Sequence, residues 1–214
     1  MLLLDLSAPS ARPNLPYRVV KRAMDLVVAG TAVLLLAPAM LVIALSLKLE
    51  DRTAPVFFRQ PRTGLGGRRF GVLKFRTMVK NAEELKEQLR HLSEVPYPDF
   101  RLTNDPRVTR TGRLLRKTSL DELPQFFNVL LGDMSLVGPR PTSFDASTYD
   151  MWQSGRLEFR PGITGPWQVW GRTTMDFEQR CRLEIGFFRD PSILREIGLL
   201  FATVKTVLRR TGVA

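Results

Sequence analysis

Between Ala23 and Leu47 the chain reads AMDLVVAGTAVLLLAPAMLVIALSL, an almost uncharged stretch that is apolar around every face of a helix. Nothing else in the sequence restricts the fold as much, because such a surface has to be covered by protein or by lipid. As a straight helix its roughly 25 residues reach ~37 Å, enough to cross ~30 Å of hydrocarbon. Pro38, near the middle, removes one backbone hydrogen bond and crowds the preceding turn, which predicts a kink or break. Arg18, Lys21 and Arg22 precede the stretch and Lys48 and Arg52 follow it; cations at both ends favour both ends on the cytoplasmic side. The pattern predicts a helix that breaks at Ala37 and Pro38, dips into one leaflet and returns, in preference to a full crossing. A Pro-kinked transmembrane helix is the main alternative. A buried core helix fits the length less well, and a signal cleaved near Ala37-Pro38-Ala39 conflicts with the apolar residues that continue beyond it.

The first twenty residues are expected to be loosely structured or interfacial, since Met1 to Pro16 combine a short apolar start with small residues and three prolines. The whole chain of 214 residues fits one ordinary domain or one domain plus an anchor. Its formal charge of +11 and pI of about 10.6 point to polyanionic partners: nucleic acid, anionic lipid or phosphorylated substrates. A single cysteine, Cys181, and a single histidine, His91, exclude an intrachain disulfide framework and the usual Cys/His zinc sites. Carboxylates, arginines and a divalent cation are the chemical tools that remain.

Further along, PVFFRQ and RFGVLKFRTM around the turn-forming TGLGG read as a hairpin, with Lys74 and Arg76 alternating onto one strand face within reach of a phosphate. Asn81 to Ser93 reads as a solvated helix. DPRVTRTGRLLR supplies Arg107, Arg110, Arg113 and Arg116. In LLRKTSLDELPQ (Leu114–Gln125) two adjacent acids, Asp121 and Glu122, stand between a cationic turn and Pro124. Thr118, Ser119 and Asp121 are all good N-caps, and Ser119 with Glu122 has the spacing of a capping box, so the acids are expected at a helix start. Their bland use is as caps. Arg113, Arg116 and Lys117 within two turns favour a second use, because nearby cations hold carboxylates ionised and attract phosphates.

QFFNVLLGD continues the helix to a C-cap at Gly132. In SLVGPRP, Gly138 permits a tight turn, and Pro139 and Pro141 hold Arg140 in an extended backbone from which a guanidinium can grip phosphate. Thr142 to Gly155 is expected to be helical, and RPGITGPWQVWGR a Gly/Pro-punctuated loop and short strand whose Trp167 and Trp170 pack on the domain or face a membrane interface. Asp176 to Arg189 and Ser192 to Arg210 read as helices, the last with an apolar stripe and a basic end suited to the core or the interface.

The run RKTSLDELPQFFNVLLGDMSLVGPRP (Arg116–Pro141) resembles the core signature of the monotopic polyprenol-phosphate phosphoglycosyl transferases, a superfamily of bacterial sugar transferases. FRQPRTGLGGRRFGVLKFRTM, DPRVTRTGRLLR and RPGITGPWQVWGR agree with it in the same order, so the likeness runs from about Lys21 nearly to the end. The resemblance implies an α+β, mostly helical membrane-associated catalytic domain with a re-entrant helix hairpin over residues 21–49, the catalytic domain over 50–214, and interfacial amphipathic helices. It implies transfer of a sugar 1-phosphate from a UDP-sugar to undecaprenyl phosphate, with release of UMP, at the cytosolic face of the bacterial inner membrane. Asp121 is then the candidate nucleophile and Glu122 its partner, with Mg²⁺ held by one or both. Lys74, Arg116, Arg140, Arg172, Pro139 and Pro141 are the expected phosphate and nucleotide site, and a homodimer is compatible with the family.

This chain departs from the pattern at three points. Ala37 stands where a serine often precedes the proline, Glu184 where an aspartate is usual, and Phe187 where a tyrosine is usual. A longer carboxylate at 184 can serve the same purpose, whereas a phenylalanine offers no hydroxyl. Direct transfer in a ternary complex, a tethered nucleic-acid-binding module and a non-catalytic scaffold are the competing readings, and the intact Asp121-Glu122 pair weighs against the last two.

Overall fold

A computed structural model describes residues 14–94, 100, 102–171 and 175–208. The expectation for the first thirteen residues lies outside that set. The chain begins with one long helix, α1 (Leu15–Glu50), followed by a hairpin of β1 (Phe57–Thr63) and β2 (Arg69–Phe75). Helices α2 (Ala82–Leu89), α3 (Arg110–Thr118) and α4 (Gln125–Leu131) come next, then β3 (Ser135–Val137) and β4 (Gly162–Thr164), and finally α5 (Pro166–Trp170), α6 (Phe177–Arg189) and α7 (Ile193–Leu208). The α+β class expected from the sequence holds.

Helix α1 starts at Leu15, six residues earlier than expected, so the segment 15–20 is helical rather than loose. Asn14 explains the start: its side chain accepts the Tyr17 N–H at 3.0 Å, and Pro16 falls in the first turn, where a missing donor costs nothing. Helical backbone continues through Ala37 and Pro38. The proline deletes one bond of the ladder without ending the helix, because good helix formers such as Leu, Ala and Met flank it on both sides. Only 11% of the most apolar 18-residue window of α1 is buried, with Leu34, Leu35 and Val42 among its exposed side chains. The core-helix alternative therefore fails, since a core helix covers its apolar surface with protein.

Contacts divide the chain into two compact units. The first gathers residues up to Leu35, Gln60–Val72 and Gln125 onward; the second consists of Leu36–Arg59 and Leu73–Pro124. The residues of 50–214, the expected catalytic domain, contribute to both units, as do those of α1 and the hairpin.

In the second unit Ile43, Leu47, Phe75 and Leu115 form a buried cluster, flanked by Met40, Val56, Leu120 and Leu123. Phe57 stacks on Phe75 with ring centroids 5.4 Å apart, which fixes the open end of the hairpin. The chain leaving β2 then meets the start of α3. Thr109 caps that helix by accepting the Gly112 N–H at 3.0 Å, and its own N–H donates to Thr77 O at 3.1 Å. Gly112 is required by this crossing, because a Cβ there would lie 2.1 Å from Thr77 O and 2.7 Å from Thr77 Cα. Gly112→Ala is expected to force the two segments apart and lower stability by about 1–3 kcal/mol. A thermal unfolding midpoint equal to that of the parent chain would show that the crossing yields without cost.

In the first unit β3 and β4 pair in parallel, Ser135 opposite Gly162 and Val137 opposite Thr164. The core beneath them contains Val72, Val129, Met134, Leu136, Val137, Phe188 and Leu199. The N-terminal part of α1 is fastened to this unit by buried polar groups. Asp25 accepts from Ser135 Oγ and Leu136 N, both at 3.0 Å, and Lys21 Nζ lies 2.6 Å from a Glu196 carboxyl oxygen and 3.6 Å from Asp25. Tyr17 donates its hydroxyl to Glu196 as well. Arg22 donates to Val129 O at 2.7 Å and Leu130 O at 3.0 Å, and thus satisfies the last carbonyls of α4. Gly132, with φ of 91°, ends α4 as the sequence indicated.

Between Thr142 and Gly155, where a helix was expected, the chain forms turns and short 3₁₀ segments at Ala146–Thr148 and Gln153–Glu158. Asp145 accounts for part of this, since its side chain accepts the Ser147 N–H and hydroxyl and so holds a local turn in place of a helix.

Candidate active site

Asp121 and Glu122 lie in the second unit, in a single 3₁₀ turn, Leu120–Glu122, between α3 and α4. The capping box expected from Ser119 and Glu122 is not formed. Ser119 instead ends α3 in the left-handed conformation, φ 57° and ψ 16°, with its N–H bonded to Arg116 O at 3.1 Å and no side-chain cap. Ser119 is the one non-glycine residue with positive φ among the described residues, and an L side chain there costs about 1 kcal/mol. The reversal restarts the chain in a new direction at the acids. A 3₁₀ turn separates successive side chains by about 120°, so the two carboxylates diverge. Asp121 is only 8% exposed, while Glu122 is half-buried.

The cations expected near the acids sit on two different elements of this unit. Lys74, in β2, donates to Glu122 Oε1 at 3.1 Å. Arg116, in the last turn of α3, donates through Nε to Thr77 Oγ1 at 3.0 Å, which leaves the other nitrogens of its guanidinium fork to other partners. Burial pushes the Asp121 carboxyl above the ordinary aspartate range; Lys74 opposes that shift, Glu122 adds to it, and Arg116 opposes it. Burial likewise lowers the Arg116 pKa, against the pull of Asp121 and Asp105. Asp121 is thus a carboxylate partly stripped of water beside two positive groups, an arrangement suited to attack on an electrophile that carries negative charge.

Arg76 is not available for a phosphate. It is buried, and its guanidinium donates to Leu47 O at 2.7 Å in the last turn of α1 and to Pro55 O at 3.0 Å. Strand alternation put it beside Lys74, but β2 ends at Phe75 and the chain turns away. Arg107 is a fastener too, held by Asp105 at 2.6 Å and by Ala82 O at 3.1 Å.

Pro139, Arg140, Pro141 and Glu184 belong to the first unit. Gly138 serves close packing rather than a turn: a Cβ there would lie 2.2 Å from Arg160 O, and its φ is not positive. Arg140 lies two residues on, with its N–H donated to Glu184 Oε1 at 3.0 Å. Glu184 is fully buried in α6, a helix opened by a capping box of Asp176 and Gln179. Arg156 and Arg180, which the sequence did not single out, also meet Glu184 and Arg140. The helical spacing from Arg180 to Glu184 was a legible signal for one of them; nothing local marked Arg156. Trp167 lies under Arg180, 4.4 Å from guanidinium carbon to ring centroid, and packs within the unit, whereas Trp170 is exposed. Arg172 lies outside the described residues.

No group of three or more His, Cys, Asp or Glu side chains suited to a metal occurs among the described residues. The donor set at the dyad fits Mg²⁺ in kind, since that ion is held by one or two carboxylates together with substrate phosphates and water. Glu122 shares one oxygen with Lys74, and the carboxylates of Asp121 and Glu122 are the protein groups that would hold such an ion.

A family model described as "Bacterial sugar transferase" matches residues 16–210. The chain is 41% identical over 202 residues to the undecaprenyl-phosphate galactose phosphotransferase of Salmonella typhimurium, covering 91% of this chain and 42% of that protein. It is 39% identical over 220 residues to the UDP-glucose:undecaprenyl-phosphate glucose-1-phosphate transferase of Caulobacter vibrioides, covering 96% and 76% respectively. Identity to the exopolysaccharide production protein ExoY of Rhizobium meliloti is 38% over 197 residues, or 90% of this chain and 87% of that one. The chain spans less than half the length of several curated relatives that it matches.

Proposed function

Because the chain belongs to the bacterial sugar transferase family, we propose that it moves a sugar 1-phosphate from a UDP-sugar to undecaprenyl phosphate and releases UMP. The observation that carries this reading is the buried Asp121 with its raised pKa, next to Glu122, Lys74 and Arg116. The ionised Asp121 attacks the sugar-bearing phosphorus, a new carboxyl oxygen–phosphorus bond forms, and the bond to UMP breaks with its electron pair leaving on the UMP oxygen. An oxygen of the lipid phosphate then attacks the same phosphorus and displaces the Asp121 carboxylate, which returns to its starting state. Lys74 and Arg116 offset negative charge on the phosphoryl oxygens, and Mg²⁺, when bound through Asp121 or Glu122, supplies further charge neutralisation. By the resemblance, the Pro139-Arg140-Pro141 turn and Arg172 receive the nucleotide portion of the donor.

The apolar surface of α1 supports seating in a membrane, and the cations on both flanks of its apolar stretch favour both ends on the cytosolic side, a re-entrant course that requires the continuous helix to bend at Pro38. That location brings a soluble sugar nucleotide to a lipid phosphate.

The test is a quench of enzyme with UDP-sugars in the absence of lipid. A two-step course releases UMP in an amount close to the enzyme present and leaves labelled sugar phosphate on the protein. UMP release that strictly requires undecaprenyl phosphate would replace the covalent course with direct transfer. Failure to consume any UDP-sugar, with or without lipid, would overturn the assignment of donor.

A further inference from the structure

The segment Pro139-Arg140-Pro141 contains a single backbone donor, the Arg140 N–H, because neither proline carries one. A strand ladder cannot bond such a segment on both sides, so side chains have to complete its hydrogen bonding. Glu184 Oε1 accepts the Arg140 N–H at 3.0 Å. The Arg140 carbonyl accepts from Arg156 at 2.8 Å and from Arg180 at 2.6 Å. Arg156 also donates to the other oxygen of Glu184, and Arg180 Nε lies 3.4 Å from the first. Both backbone groups of Arg140 are therefore occupied by one interlocked set, and the turn is pinned on its far side by Gly162 N to Pro139 O at 3.0 Å.

The set is expensive to bury, and its charges do not cancel. Glu184 is fully buried and Arg156 is 2% exposed, so one carboxylate serves two shielded guanidinium groups. Burial works against the Arg156 charge, but Glu184, with smaller help from Tyr149 and Cys181, raises its pKa overall; burial lowers the Arg180 pKa to about 10, with Glu184 only partly opposing it. A purely structural tie would be served by one arginine. The second leaves an excess positive charge beneath the turn, beside a groove lined by Thr63, Gly64, Arg140 and Pro161. Such a field favours an anionic ligand there.

We infer that Glu184 is a positioning residue: with Arg156 and Arg180 it fixes the backbone of Arg140 so that the Pro139-Arg140-Pro141 turn is preformed for the phosphate of a nucleoside phosphate. The inference rests on the nucleotide role given above to this turn. It also gives the residue that departs from the family's usual aspartate a specific task, one that needs both oxygens of the longer side chain.

The test uses UMP as probe and the full chain in detergent, with unfolding measured in the same samples. Glu184→Gln presents an amide N–H to Arg156 and loses the charge, and is expected to weaken UMP binding at least tenfold in the folded protein. Arg180→Lys keeps the charge and is the more readily folded variant; it is expected to weaken UMP severalfold through loss of one grip on the Arg140 carbonyl. Glu184→Asp, which cannot span both partners, is expected to recover only part of the loss. Parent-like UMP affinity in folded Glu184→Gln, or in Arg180→Lys if the first does not fold, overturns the positioning role while leaving the transfer reaction intact. An unmodified chain that binds no UMP overturns the nucleotide assignment of the turn itself.

Discussion

Asp121→Asn is expected to reduce sugar-phosphate transfer by on the order of 10⁴-fold or more, while the variant folds at least as well as its parent. The loss follows from the role: an amide cannot form the covalent bond to phosphorus that the carboxylate forms. The effect on stability follows from the raised pKa of Asp121, whose chief cause is burial. A carboxyl raised in the folded state contributes stability that is fully present below the unfolded value of about 3.9 and is lost as pH rises through the folded value. At neutral pH the parent therefore carries an ionised group that the fold disfavours, and a neutral amide of similar size relieves it. Activity and thermal unfolding measured on one preparation decide the matter. A folded Asp121→Asn chain that retains full transfer would remove Asp121 from the chemistry, and a sharply lowered unfolding midpoint would make it a structural residue.

Lys74→Met is the second large effect, expected at roughly 10²–10³-fold in kcat by analogy with loss of one preorganised charge-stabilising group. It has a signature that simple damage would not produce. Transfer requires Asp121 ionised, so the rate falls as pH drops through the pKa of that carboxyl. In the parent chain this acid limb lies above the ordinary aspartate range. Lys74 is the largest of the influences that lower the Asp121 pKa. Its removal is expected to move the limb to still higher pH, so that the variant recovers part of its deficit in mildly alkaline buffer. An acid limb that stays in place when Lys74 is lost would show that the lysine acts on the substrate alone, through charge that does not reach Asp121.

Arginine use explains much of the distance between sequence and structure. The charge of +11 suggested a surface made for polyanions. Several of those arginines instead satisfy backbone carbonyls: Arg22 at the end of α4, Arg76 at the end of α1, Arg107 at Ala82, and Arg156 and Arg180 at Arg140. A backbone carbonyl has two lone pairs and, near a helix C-terminus, added partial negative charge, so a guanidinium fork suits it as well as it suits a phosphate. Sequence spacing does not distinguish the two uses. The reversal at Ser119 was hidden for a related reason, since a serine at positive φ has no local signature and is held there by its surroundings.

By itself the sequence determined the elements that local chemistry dictates: an apolar first helix, a hairpin around TGLGG, a glycine stop at Gly132, a helix over Asp176 to Arg189 and an amphipathic α7, together with the pair of acids and the cations that accompany them. Those features depend on propensity, capping and periodicity within a few residues, and all of them are written in neighbouring positions. Only the tertiary structure decided that Lys74 meets Glu122 while Arg76 is spent on α1, that the acids occupy a 3₁₀ turn with Asp121 the more buried of the two, and that Glu184 holds the backbone of Arg140. Each of these joins residues far apart in the chain, and the energy that selects them comes from burial and from backbone groups left unpaired elsewhere, which no local pattern encodes.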